Sequence, residues 1–124
     1  MNDWQKAGYL SLATRKRDGS RVYTPVWFAP DGDDFYLFSE GKAGKVKRIR
    51  NFTDVLMAPC TVTGKITGSE ETGEAEILQQ PAEIRAAHKA LLKKYGWQLR
   101  ILDMLSAIAG KKGKRVFIRV RRTQ

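Results

Sequence analysis

Residues 35–51 constrain the fold of this 124-residue chain more than any other segment. They begin with an apolar run, 35–38, that is typical of a strand, and they pass through Ser39 into a loop with two glycines. The basic stretch that opens with Lys45 repeats apolar residues at helical spacing and predicts a short helix. The start of that helix faces the loop, so its unbonded N–H groups and the positive end of its dipole favour an anion there.

The sequence alone leaves three interpretations of this segment open. The basic run can bind a phosphate-bearing ligand, it can be a solvated surface, or it can bind nucleic acid. It does not form a P-loop, because only two residues separate Gly41 from Gly44 and Val46 stands where a P-loop has a hydroxyl.

The charge and the cysteine count narrow the class of protein. A formal net charge of +10 favours anionic partners such as a phosphorylated cofactor, a polyanionic substrate, nucleic acid or a membrane surface. The single cysteine, Cys60, excludes an internal disulfide framework, and one histidine cannot complete a zinc site with it. No apolar run approaches membrane-spanning length, and the amino terminus has no export signal. We therefore expect one domain over residues 1–124, with no metal and no membrane partner, in the cytoplasm.

Short apolar runs between tight turns predict a mainly β fold. The first forty residues predict a three-stranded meander of 9–14, 21–29 and 35–38, with Pro25 marking an edge strand or a bulge. A second meander is predicted from 54–62, 63–68 and 73–78. A helical pair, 81–95 and 97–109, precedes a last strand at 116–120. Six or seven short strands favour a small barrel, because closure hides the edges of the sheet.

The order of these parts resembles the flavin-binding split β-barrel family of pyridoxamine 5′-phosphate oxidase and the related deazaflavin-dependent reductases. The segments that carry the resemblance are YLSLAT (9–14), RDG (17–19), TPVWF (24–28), DGD (31–33), Ser39, KVKRIRN (45–51), VLMAPC (55–60) and IRV (118–120). The likeness implies a split β-barrel that binds FMN or the deazaflavin coenzyme F420 between the subunits of a homodimer. Gly44 stands where the oxidases carry an arginine, which favours the reductase branch.

The resemblance also implies the roles of individual residues. Ser39 and Lys45 would bind the cofactor phosphate, with Lys47 or Arg48 near it. Cys60 would lie close to the cofactor. The strand beside the isoalloxazine ring would contribute Tyr23, Thr24, Pro25, Val26 and Trp27. The implied activity is hydride transfer to or from a small organic substrate, with no catalytic residue assigned, because the cofactor carries out that chemistry itself.

Several alternatives stay open beside this interpretation. His88 lies on the apolar face of its helix, where it is either a packed histidine or a proton donor. Cys60 is either a small buried strand residue or a reactive thiol, and Trp27 either contacts the cofactor ring or belongs to the core. For the whole protein the alternatives are flavin binding without turnover and a basic β-barrel that binds nucleic acid.

Overall fold

The computed structural model describes residues 3–41, 43–108 and 115–123. Seven strands form one sheet: β1 (Tyr9–Arg15), β2 (Arg21–Val26), β3 (Phe28–Asp31), β4 (Asp34–Glu40), β5 (Asp54–Cys60), β6 (Glu71–Ile77) and β7 (Arg115–Arg122). Four helices accompany it: α1 (Asp3–Lys6), α2 (Gly44–Asn51), α3 (Pro81–Tyr95) and α4 (Trp97–Ile108). The predicted fold class is confirmed: a mainly β split barrel with a short basic helix and a helical pair before the last strand.

The sheet is antiparallel throughout and curls round on itself. Its strand order is β2-β1-β5-β6-β7-β4-β3, so β2 and β3 lie at opposite edges. Only Trp27 separates these two strands along the chain, and the edges must therefore come together. The predicted first meander is wrong, because the run at 21–29 divides at Trp27 into two strands with different partners. Pro25 lies on the edge strand β2, where a missing N–H breaks no inner ladder.

The second predicted meander is also wrong. β5 pairs directly with β6, and residues 63–68 contribute only an isolated bridge between Cys60 and Ile66. β6 begins at Glu71, two residues before the predicted strand 73–78.

The interior of the barrel forms one hydrophobic core. Trp4 closes one side of it, with its ring 4.7 Å from that of Phe35 and its indole N–H donating to Glu71 at 2.9 Å. The buried members of this core are Trp4, Leu10, Leu12, Val26, Phe28, Phe35, Leu37, Ile49, Val55, Met57, Ala75, Ile118 and Val120. Ile49 brings α2 into the core, so the first turn of that helix is fixed relative to the barrel.

The helical pair covers the outer face of β3, β4 and β7 and forms a second core. Pro81 occupies the first turn of α3, and Gly96 ends that helix with φ +56°, a conformation that favours glycine. In α4, Leu99 is buried, but Leu105 is 58% exposed, and Trp97, Ile101 and Met104 are exposed with it. Residue 109, the last of the predicted helix, lies outside the described residues.

Within the part of the chain that the structure describes, no helix has the length and apolar character needed to cross a membrane.

Candidate functional site

A cleft of about 350 Å³ opens where the bend at Trp27, the end of β4 and the start of α2 meet. Its lining consists of Tyr9, Pro25, Val26, Trp27, Phe38, Ser39, Glu40, Ala43 and Lys45. Five of these residues are the predicted site residues Pro25, Val26, Trp27, Ser39 and Lys45. The structure therefore brings together two segments that are more than ten residues apart in the sequence, although their role in binding a cofactor stays a prediction.

The start of α2 gives the cleft a positive end. Its N-cap residue, Ala43, has no side chain that could accept a hydrogen bond, and no acidic residue lies in the first turn. A helix start of this kind leaves backbone N–H groups without partners and favours an anion. The buried hydroxyl-bearing residue Ser39 stands beside it, with Oγ 3.2 Å from the Glu40 carbonyl oxygen.

Lys45 is held in the cleft at an electrostatic cost. Burial lowers the pKa of its ammonium, the nearby Arg48 charge lowers it further, and Glu40 opposes both effects. Among the described residues, no carboxylate lies within 4 Å of the charged atoms of Lys45 or Arg48. Two neighbouring cations with so little compensation favour the binding of an anion at this end of the cleft.

Aromatic side chains form the other end of the cleft. Trp27 stacks on Tyr95, with ring centroids 4.3 Å apart and planes 8° from parallel, and its edge approaches Phe38. The Tyr95 hydroxyl accepts a 2.9 Å hydrogen bond from the Phe28 N–H, and the carbonyl oxygens of Phe28 and Gly8 lie 3.0 and 2.8 Å from it as acceptors. Burial raises the pKa of Tyr95, so the phenol keeps the proton that it donates. Tyr95 thereby fixes Trp27 as a rigid wall.

Four predicted site residues lie elsewhere. Tyr23 is half exposed, and Lys47 is exposed outside the lining of the cleft. Thr24 has a buried hydroxyl with no hydrogen-bond partner among the described residues. Cys60 is buried, which raises the pKa of its thiol, and it lines a neighbouring cavity that shares Tyr9 with the cleft. None of these positions tests a role in cofactor binding, so each stays a prediction.

Arg48 is the fifth predicted site residue that lies outside the cleft lining. Its side chain extends towards β1. Its Nε donates to Thr14 Oγ1 at 2.7 Å. A Cβ at Gly44 would come 2.9 Å from Arg48 Nη1, so the guanidinium fills the space that a side chain at position 44 would use. The glycine at the helix start and the arginine one turn later thus depend on each other.

Four residues of the cleft were not predicted: Tyr9, Phe38, Glu40 and Ala43. Phe38 and Glu40 adjoin Ser39 in the sequence, and Ala43 immediately precedes the helix, so their position was a usable signal. Tyr9 begins β1, which lies beside β2, and the predicted pairing of 9–14 with 21–29 was a usable signal for it as well. Across the described residues, no three His, Cys, Asp or Glu side chains are grouped closely enough to hold a metal ion.

Comparison with solved structures supports the architecture. An F420 reductase shares 22% identity over 94% of this chain and 86% of its own, with a TM-score of 0.59. A Listeria innocua protein provisionally named a pyridoxamine 5′-phosphate oxidase shares 16% identity over 98% and 89%, with a TM-score of 0.66. HutZ, the heme storage protein of Vibrio cholerae, shares 12% identity over 98% and 86%, with a TM-score of 0.72.

The chain has the split β-barrel fold of the pyridoxamine 5′-phosphate oxidase-like proteins. The predicted resemblance is confirmed at the level of the fold, which the three structures share at low sequence identity. No family model matches the sequence, and no curated protein matches it significantly. The names of the three proteins differ in ligand, so the choice of ligand rests on the cleft itself.

Proposed function

We propose that this protein binds a phosphorylated flavin, FMN or the deazaflavin coenzyme F420, and acts as an oxidoreductase on a small organic substrate. One observation carries the proposal: the cleft joins an uncapped helix start and Lys45 at one end to the wall of Trp27 and Phe38 at the other. A flavin has the matching form, a flat ring system at one end and a phosphate at the other. The F420 reductase among the similar structures supports the same class of ligand.

The residues of the cleft suit a cofactor that performs its own chemistry. When bound, a flavin or deazaflavin supplies the hydride chemistry. The chain would contribute an anion site at Lys45 and Ser39, a rigid ring wall at Trp27, and exclusion of water from one face. Among the described positions, Glu40 is the one acidic residue that lines the cleft, so the lining has no pair of carboxylates for acid–base catalysis. This agrees with a cofactor that carries out the chemistry itself.

We further propose that the working form is a homodimer. A volume of 350 Å³ lies near the lower limit for small-molecule pockets, so one chain would cover a flavin only in part. The helical pair covers β3, β4 and β7, whereas large apolar side chains stay exposed beside β2 and β5, at Tyr23, Val62 and Ile66. A second copy on that side would bury these residues and extend the cleft.

Nucleic-acid binding finds less support in the structure. A stacking platform needs exposed aromatic rings among basic residues. Phe35 and Tyr36 are buried, and Phe38 and Trp27 are partly covered by other rings. The positive charge is thus better explained by a small anionic ligand.

The test is titration of purified protein with FMN, F420 and heme, following cofactor fluorescence or the Soret band. Saturable binding of FMN or F420, followed by reduction of a dye by the protein loaded with the chemically reduced cofactor, is the expected result. Binding of F420 in preference to FMN would identify the deazaflavin branch, and binding without turnover would reduce the function to cofactor storage or sensing. Binding of heme alone, or of none of the three, would overturn the proposal.

A further inference from the structure

A second cavity, of about 460 Å³, lies between α3 and β7 on the outer side of the sheet. Ile84, Arg85 and His88 line it from the helix, and Arg115 and Phe117 line it from the strand. Its volume falls within the range of small-molecule pockets. None of these residues belongs to the cleft at Lys45, so the cavity requires its own explanation.

A charged cluster holds one wall of this cavity in place. The Asp103 carboxylate of α4 accepts a 2.9 Å hydrogen bond from His88 Nε2 and a second bond from Arg115 Nη1. Burial raises the pKa of Asp103, but the hydrogen bonds from Arg115 and His88 outweigh burial and lower it overall. Asp103 is therefore ionised, which neutralises the Arg115 guanidinium and requires that the proton on Nε2 belong to His88.

Two polar groups of the cavity then stay available to a ligand. Arg85 is exposed, and no carboxylate among the described residues lies within 4 Å of its guanidinium. His88 uses Nε2 towards Asp103, and its other ring nitrogen, Nδ1, can donate when the ring is protonated. Because the charge of Asp103 is balanced by Arg115, the remaining charge of the wall is positive.

The rest of the lining is apolar. Ile84 is half-buried, and Phe117 is buried, with its ring 6.1 Å from that of His88 in an edge arrangement. An apolar surface beside a positive one matches a molecule with a flat or branched hydrocarbon body and a single carboxylate.

We propose that this cavity is a second small-molecule site that binds an apolar carboxylic acid as its anion. The hydrocarbon body would lie against Ile84 and Phe117, and the carboxylate would bind the Arg85 guanidinium beside the ring of His88. The site adjoins the proposed cofactor cleft, since Phe38 lines that cleft and its ring lies 6.0 Å from that of Phe117. The inference does not depend on which cofactor the cleft binds.

The test compares indole-3-acetate with its neutral amide, indole-3-acetamide, which has the same ring system and lacks the charge. Calorimetry gives the dissociation constants, and amide chemical shifts from NMR locate the binding residues. The carboxylate should bind at least about fivefold more tightly than the amide, with shifts centred on α3 and β7. Arg85→Gln should remove most of that preference. Arg100→Gln, which deletes an exposed arginine outside the cavity, should retain it.

A cavity-filling variant tests the location without removing a charge. Ile84→Trp places a large side chain in the cavity and should abolish the binding of both ligands while the protein stays folded, as judged by circular dichroism. Equal affinities for acid and amide would overturn the proposal, as would preserved binding in Ile84→Trp. Failure of both ligands to saturate the wild-type protein below about 10 mM would also overturn it.

Discussion

Replacement of Lys45 by alanine should weaken the binding of a phosphorylated flavin without destabilising the apoprotein. Lys45 is half-buried at the uncapped start of α2, and burial and the Arg48 charge both lower its pKa, so the ammonium is poorly stabilised when no anion is near. A charge-assisted hydrogen bond contributes roughly 1.5–3 kcal/mol, and partial exposure of Lys45 reduces this to about 1–2 kcal/mol. The dissociation constant for FMN should therefore rise about 5- to 30-fold.

Two matched comparisons separate the loss of a phosphate contact from a general effect of the substitution. FMN and riboflavin differ only in the phosphate, so fluorescence titration of Lys45→Ala should show a loss for FMN and a change below about twofold for riboflavin. Arg50→Ala removes a positive charge from the last turn of the same helix, at an exposed position outside the cleft, and it should leave both affinities nearly unchanged. Thermal denaturation of the apoprotein checks stability. Equal losses for the two flavins, or for Lys45→Ala and Arg50→Ala, would refute the assignment of Lys45 to the phosphate.

Three further predictions follow from other contacts. Tyr95→Phe keeps the stack on Trp27 but leaves the Phe28 N–H without its acceptor, and urea unfolding should show a loss of about 1–3 kcal/mol; a loss near zero would contradict the role of the hydroxyl. Burial lowers the pKa of Lys94 to about 8, so its ammonium should titrate near that value by carbon-detected NMR. Because the folded state then binds fewer protons than the unfolded state, stability should rise between pH 8 and about 10.5, and Lys94→Met should flatten that rise; a midpoint near 10.5 would contradict it. Val62→Glu should dissociate the proposed dimer in light scattering, whereas Met104→Glu on α4 should not, and the reverse result would place the interface on the helix.

The elements that depend on local patterns were predictable from the sequence. The helix at 81–95 has a proline at its start and a glycine at its end, and the structure confirms both boundaries. The turns between β1 and β2 and between β3 and β4 contain Gly19 and Gly32 with φ of +88° and +63°, the conformations that favour glycine in such turns. These features require only neighbouring residues, so a single sequence contains the information.

The division of the run at 21–29 was not predictable in this way. The residues before and after Trp27 are equally suited to a strand, and the break exists because β2 pairs with β1 while β3 pairs with β4. Which strands pair is decided by the whole barrel, and the local pattern carries no signal for it.

The residues of the candidate site show the same difference between features set by neighbouring residues and features set by distant contacts. The cleft residues near Ser39 and on the strand before Trp27 lie within segments that the sequence already marked. Arg48 shares the basic helix with Lys45, but the space beside Gly44 and the hydroxyl of Thr14 turn its side chain elsewhere. Contacts between distant segments thus decided which of the basic residues face the cleft.

The one-residue link at Trp27 bears on how a ligand could enter. No ladder of hydrogen bonds joins β2 to β3 in the described sheet, so the barrel has a seam there that is crossed by the covalent chain alone. The cleft opens on this seam, between Val26 on one side and Phe38 on the other. Separation of the two edges at this seam would break no strand pair; what resists it is the stack of Trp27 on Tyr95 and the hydrogen bonds between the Tyr95 hydroxyl and Phe28.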